Sequence, residues 1–350
     1  MKKEIILSIC IPTYNRKNRV IELIREILNN KSPEYEIVVL DNASTDGTYE
    51  EIEKIKSSKL KLFKNDILIS AQENGLKALT LGKGKYVMHF NDREIANHIY
   101  LDNIIEFLKK NDLSFIFFKS SNRLNSLESI FEKGIEAKKE LNEFGHHPTG
   151  LTFRKDYLKK IDLNKYSSFE NVNIYPYFFV IYDILEYGKT ATFHTMFWKH
   201  ASKEFIKNNR SGFIVDKSKI WFSPEQKYDQ LYKQSKKIIE DKILKNENIR
   251  QTLLIRCFKE KMSGISYSYI YYYTHNVEEC YHYGIEPTYL RFNDFIKLLL
   301  KYNTLYINFL KRNYKLNFKI YFMIFLLSFK LLFKALYREI NLIIKWRRIK

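Results

Sequence analysis

The chain has 350 residues, 45% of them hydrophobic and 28% charged, with a formal net charge of +19. That hydrophobic content excludes wholesale disorder, and the length exceeds what one compact core needs, so a large domain with an appendage, or two domains, is expected. Three cysteines, Cys10, Cys257 and Cys280, lie far apart without a C-x-x-C pair, which argues against a disulfide framework or a zinc site and fits a reducing cytoplasm.

The opening MKKEIILSICIP has a short apolar run that stops at Pro12 with no small-residue cleavage site after it. It reads as a first strand and not as a leader. After the loop PTYNR, the segment KNRVIELIREILNN carries Val20, Leu23, Ile24, Ile27 and Leu28 at helical spacing. EIVVLD, from Glu36 to Asp41, is a second strand, leading through NASTDGT into a helix over about residues 47–57. KLKLFK reads as a third strand, residues 73–81 as a short helix, and KYVMHF as a fourth strand. A helix over 97–110 and the strand LSFIFFK follow. Strands alternating with helices predict an α/β fold with a mainly parallel sheet and right-handed crossovers. In such sheets ligands sit outside the carboxyl ends of the strands. Ile11 is followed by Thr13, Tyr14 and Asn15, Leu40 by Asp41, and Phe90 by Asn91 and Asp92. One polar strand end is an ordinary solvated loop; three delivered to one edge point to a binding site.

These stretches, LSICIPTYNR, YEIVVLDNASTDGTYEEI and GKGKYVMHFNDRE, resemble the nucleotide-binding half of glycosyltransferase family 2, which has the GT-A fold. The resemblance covers about residues 5–115 and continues more loosely to about 200. It implies a Rossmann-like, mostly parallel sheet flanked by helices, and inverting transfer of a sugar from a nucleoside-diphosphate donor. It implies that Pro12, Thr13, Tyr14 and Arg16 wrap the nucleoside, with Tyr14 near the base, and that Asp41 accepts a hydrogen bond from uracil, which favours a UDP-sugar. Ser44 and Asp46 fall in the same region, though an N-cap and a first-turn acid explain them equally well. Lys77 either faces the diphosphate or solvent. Gly82 and Gly84 precede a strand and lack a third glycine, so they are not a dinucleotide fingerprint.

Where NDRE stands, the family places an acidic cluster that holds a divalent ion against the donor phosphates and assists the leaving group. The resemblance thus implies Mg²⁺ or Mn²⁺ on Asp92 and Glu94, next to Asn91, with Asp92 essential to catalysis. Arg93 is a departure; it either supplies charge to the phosphates or salt-bridges outward. A second departure concerns the base. The family's acceptor-side helix opens with Glu-Asp, whose Asp takes the acceptor proton, but here the equivalent place falls on Pro176 and Tyr177. The substitutes are Glu170, Asp183 and His147, each of which also reads as a plain surface acid or loop histidine.

From Asp216 onward the pattern turns to helices rich in Lys, Tyr and Asn. The expected division is a catalytic domain over 1–215 (nucleotide half 1–115, acceptor half 116–215), a helical accessory region over 216–316, and a basic amphipathic helix over 317–350. From Phe295 to Lys350 there are 13 Lys and Arg against Glu339 alone, a net +12. The uncharged run Ile320–Phe329 is short for the roughly 20 residues that span a bilayer. With Lys330, Lys334, Arg338 and Lys345 recurring along the helix, the segment suits a helix lying on an anionic membrane surface; a buried or oligomeric helix is the alternative. The expectation is therefore a cytoplasmic enzyme, peripheral on the inner face of the membrane, that glycosylates a glycan or polyprenyl-diphosphate-linked acceptor for a surface polysaccharide. The competing class is a catalytically silent nucleotide- or lipid-binding partner on the same fold. Nucleic acid is not expected, since charge alone points to it. The sequence leaves homo-oligomerisation open.

Overall fold

The computed structural model describes residues 4–121, 126–140, 147–167, 176–201, 224–274, 292–315 and 317–349. The chain forms two compact units, Met1–Gly212 and Phe213–Lys350.

In the first unit, β1 (Leu7–Thr13), β2 (Tyr35–Asp41), β3 (Leu60–Lys64) and β4 (Tyr86–His89) are joined by α1 (Lys17–Leu28), α2 (Thr48–Glu53) and α3 (Ala71–Leu81). Their order is β3-β2-β1-β4, all parallel, with Leu7 opposite Tyr35 and Tyr86, and Thr13 opposite Asp41. β1 and β2 are buried along nearly their whole length, as is usual in parallel sheets, and the buried polar pair Ser8 and Glu36 is joined by a 2.7 Å hydrogen bond. On α1, Val20, Leu23, Ile24 and Ile27 are buried on one face, packing with Ile9, Ile11, Ile37 and Val39. Truncating one of these leucines or isoleucines to alanine would cost about 2–5 kcal/mol.

The second half of the sheet is mixed. β5 (Ile95–Ala96) and a 3-10 turn (His98–Tyr100) lead into α4 (Leu101–Lys110), β6 (Phe115–Ser120), β7 (Ser126–Phe131) and α5 (Ile135–Lys139). β8 (Leu151–Arg154) then runs into α6 (Lys155–Leu158), α7 (Asn164–Ser167), α8 (Pro176–Ile184), β9 (Thr190–Thr195) and β10 (Trp198–Lys199). The eight-stranded order is β3-β2-β1-β4-β8-β6-β9-β7. β8 is antiparallel to both β4 and β6, β9 is parallel to β6, and β7 is antiparallel to β9. β10 and β5 form a separate antiparallel ribbon. Gly84 explains the glycine pair before β4: a Cβ there would lie 2.8 Å from the Ser8 backbone nitrogen, so only glycine lets the chain pass this close to β1.

The second unit is helical: α9 (Pro224–Glu240), α10 (Glu247–Thr274), α11 (Phe292–Asn313) and α12 (Phe318–Ile349). Leu231, Ile238, Leu254, Phe258, Phe295 and Tyr306 form its buried interior, where the Ser235 and Tyr306 hydroxyls share a 2.9 Å hydrogen bond.

Candidate active site

Because β1, β2 and β4 are parallel neighbours, their carboxyl ends open on one edge, and the loops that follow them interlock there. Thr13 Oγ1 donates to Asp92 Oδ2 at 2.8 Å, and Arg16 Nη1 pairs with Asp92 Oδ1 at 2.6 Å. The Asn42 backbone N–H donates to the Thr13 carbonyl, and the Asn15 N–H to Ser44 Oγ at 2.9 Å. Tyr14 is half-buried in the same loop. The ends of β1, β2 and β4 are thus brought together as the sequence pattern implied.

Asp41 is fully buried. Its Oδ2 accepts from the Ser44 backbone N–H at 2.9 Å, while Oδ1 has no hydrogen-bond partner among the described residues. Burial raises its pKa above the ordinary carboxylate value, and the Ser44 hydrogen bonds and Lys64 offset this only in part. A buried acceptor left open in this way is costly unless a ligand supplies the donor.

Ser44 and Asp46 divide the two roles considered for them. Ser44 ties loops together, while exposed Asp46 accepts the Thr48 backbone N–H at 3.0 Å at the start of α2. The N-cap residue itself is Gly47, at φ 82°. Lys77 is exposed, and its ammonium donates to Asn65 Oδ1 at 2.8 Å. Asn65 in turn donates to Asn42 and Asn74, each at 2.9 Å. This buried amide cluster fixes the ends of β2 and β3 against α3, and no sequence periodicity announces it.

Glu94 is 1% exposed and sits between two imidazoles and a guanidinium. His147 Nε2 lies 3.1 Å from Oε1, His200 Nδ1 3.2 Å from Oε2, and Arg93 Nε 3.6 Å from Oε1. Burial pushes the Glu94 carboxyl up, but His147, His200 and Arg93 outweigh it and hold the pKa below the ordinary value. Burial lowers His147, and Glu94 only partly restores it. The ring of His147 stacks on Trp198 at 5.5 Å, and the Trp198 indole N–H donates to the Phe118 carbonyl at 2.9 Å. The ribbon explains why His200 arrives here: Lys199 pairs with Ile95, so the next residue along falls opposite Glu94 in the antiparallel register.

The carboxylate and two imidazoles offer ligand atoms within 4.8 Å of one another, a mixed oxygen–nitrogen set that suits Mn²⁺ better than Mg²⁺. Asp92 fits an ion less well, since both its oxygens are already engaged by Thr13 and Arg16. His200 was not expected from the sequence, and His147 was expected as a base and not beside Glu94.

At the start of α8, Pro176 and Tyr177 occupy the place where an acidic pair was sought, and both are buried. The Tyr177 hydroxyl bonds His89 Nδ1 at 2.7 Å, and His89 Nε2 bonds Asn91 Oδ1 at 3.2 Å. Burial holds the Tyr177 phenol well above its ordinary pKa and pushes His89 down to about 4. His89 is therefore neutral near pH 7, its Nε2–H donating to Asn91, and Tyr177 is no base. Asp183 Oδ2 accepts from the Tyr166 hydroxyl at 2.5 Å. Glu170 lies outside the described residues.

A family model, Glycosyl transferase family 2, matches residues 8–162, the stretch that builds this edge. That match covers less than half of the chain and lies within the first unit. The chain is similar to the Escherichia coli UDP-Glc:alpha-D-GlcNAc-diphosphoundecaprenol beta-1,3-glucosyltransferase WfaP, 26% identical over 39% of this chain and 53% of that protein. It is also similar to the Salmonella typhimurium abequosyltransferase RfbV, 36% identical over 24% of this chain and 27% of that protein. The chain thus spans about half or less of these curated relatives. Among solved structures, Staphylococcus aureus TarS 1-349 in complex with UDP-GlcNAc superposes with a TM-score of 0.53 at 17% identity, covering 86% of this chain and 84% of that one. The fold is GT-A-like, a central sheet flanked by helices, with a mainly helical carboxyl-terminal region.

Proposed function

We propose that the protein transfers a sugar, with inversion, from a UDP-sugar to a glycan or polyprenyl-diphosphate-linked acceptor in surface polysaccharide synthesis, at the cytoplasmic face of the membrane. The observation that carries this reading is the open, fully buried Asp41 Oδ1 at the edge where Thr13, Arg16 and Asp92 are locked together. A carboxylate acceptor held there suits the imide N–H of uracil. Arg16 brings a cation to the edge where a diphosphate would lie. The names of WfaP, a UDP-glucose enzyme acting on a diphosphoundecaprenol-linked sugar, and of TarS bound to UDP-GlcNAc support the donor and acceptor classes.

Glu94, His147 and His200 would hold the divalent ion, which when bound supplies Lewis-acid charge to the departing diphosphate. The residues of the chain do the rest. Arg16 and Thr13 fix the Asp92 carboxylate, Ser44 fixes Asp41, and the Tyr177–His89 pair fixes the Asn91 amide. Pro176 and Tyr177 in place of an acidic pair favour a second reading, a domain that binds the nucleotide without consuming it.

A thermal-shift screen of UDP, GDP and CDP, each with and without Mn²⁺, tests the reading. UDP should stabilise the protein most, and Mn²⁺ should add an increment that Glu94→Ala and His200→Ala remove. Equal shifts with GDP and UDP would overturn the base assignment. Slow release of UDP from UDP-glucose or UDP-GlcNAc, lost in Asp92→Ala, separates the enzyme from the silent binder.

A further inference from the structure

The outward face of α12 has no counterpart elsewhere among the described helices. Ile320, Ile324, Ser328, Leu331 and Ala335 turn inward and are buried, and Ser328 Oγ accepts from Asn303 Nδ2 of α11 at 2.8 Å. The opposite face carries Phe318, Phe322, Phe325, Phe329, Phe333 and Leu336, at the three- and four-residue steps of one helical stripe. Phe318 is 80% exposed, Phe325 62% and Phe333 57%. A row of bare phenylalanines this long is not ordinary soluble surface; such patches mark a partner or a membrane.

The lysines identify the partner. Lys319, Lys330 and Lys334 are exposed, and each directly follows a stripe phenylalanine. One residue along a helix is a rotation of about 100°, so all three fall on the same flank of the stripe. An apolar stripe edged by lysines matches acyl chains beneath anionic headgroups. The net +12 between Phe295 and Lys350 complements such a surface and disfavours a second copy of the same face.

By length and composition, Phe318–Tyr337 is also sufficient to cross a bilayer. Crossing is opposed by the helix's own packing. Its inner face is bonded to α11, which carries Lys297, Lys301, Lys311 and Arg312, and drawing those charges into hydrocarbon is expensive. Lying in the plane leaves the inner face packed and wets only the lysine flank.

We propose that α12 lies in the plane of an anionic lipid surface with its phenylalanine stripe inserted at the headgroup–acyl boundary and Lys319, Lys330 and Lys334 reaching back to the headgroups. This deepens the membrane part of the functional reading, and its test reads lipid alone.

The test is co-sedimentation of the full chain with phosphatidylcholine vesicles, with and without phosphatidylglycerol. Binding should require the anionic lipid. Phe325→Ser, Phe329→Ser and Phe333→Ser combined should weaken it by about tenfold or more at every salt concentration, because apolar insertion is unscreened. Lys319→Gln, Lys330→Gln and Lys334→Gln combined should remove mainly the salt-sensitive part. All six positions are exposed, so thermal stability and UDP binding should stay as in the parent chain. Unchanged sedimentation of the aromatic variant overturns the proposal. A parent oligomer that the aromatic variant dissolves, without change in lipid binding, assigns the stripe to a second copy and also overturns it. Resistance of the bound parent to alkaline carbonate overturns the in-plane orientation in favour of a span.

Discussion

Arg16 and Asp92 form a 2.6 Å ion pair that fastens the loop after β1 to the loop after β4. The Asp92 side chain is 3% exposed and that of Arg16 19%, so the pair is shielded from solvent far better than a surface bridge, whose worth is small. Arg16→Met leaves Asp92 with Thr13 alone among the described residues. In a double-mutant cycle of Arg16→Met and Asp92→Asn followed by urea denaturation, we expect a coupling energy of about 1–3 kcal/mol. A coupling near zero would show that the two loops hold their positions without this contact.

Asp41 gives the opposite relation between stability and binding. Its buried carboxylate has one oxygen without a partner among the described residues, so its charge weakens the empty protein. Asp41→Asn should leave the melting temperature unchanged or higher while weakening UDP binding by about tenfold or more, a loss near 1.4 kcal/mol. Calorimetric titration with UDP checks this, and undiminished affinity would remove Asp41 from the nucleotide site.

His89 makes the fold sensitive to acid. Burial sets its pKa at about 4 in the folded chain, against about 6.5 when unfolded. Between those values the unfolded chain takes up a proton that the folded chain refuses, so stability is full above pH 6.5 and falls as the pH drops toward 4. The loss from this residue is about 3 kcal/mol. The raised pKa of Asp41 acts with the opposite sign, the lowered one of His147 adds to the fall from the same upper limit, and the lowered one of Glu94 adds to it only below about 4.5. Denaturation of parent and His89→Gln chains between pH 4 and 7.5 isolates the effect: the variant should show a shallower slope, whatever its stability at neutral pH. Equal slopes would mean that His89 is protonated in the folded state.

The parallel half of the sheet was legible because buried strands are continuous apolar runs and each ends in a polar residue at the same edge. Thr13, Asp41 and Asp92 could be assigned to one place from that pattern alone. The mixed half was not, because β8 inserts between β4 and β6, and strand order across antiparallel insertions leaves no periodic trace. Nor was His200 legible. Its relation to Glu94 depends on the register of a two-residue ribbon, too short for any alternation to show. Arg93 drew attention by adjacency to Asp92, yet Arg16, from another loop, is the cation paired with that acid. Contacts across sheet-edge loops are set by topology, and sequence neighbours are a poor guide to them.

The ribbon of β5 and β10 has a consequence for biosynthesis. A growing polypeptide that has emerged only as far as α4 already contains β1, β2 and β4 and the loops that follow them, but not the segment bearing His200. The edge bearing Asp41 and Asp92 is therefore synthesised early, while Glu94 waits for the His200 imidazole, which leaves the ribosome much later. A message cut short before β10 would yield a domain that keeps the Asp41 and Asp92 loops but lacks the finished carboxylate–imidazole centre.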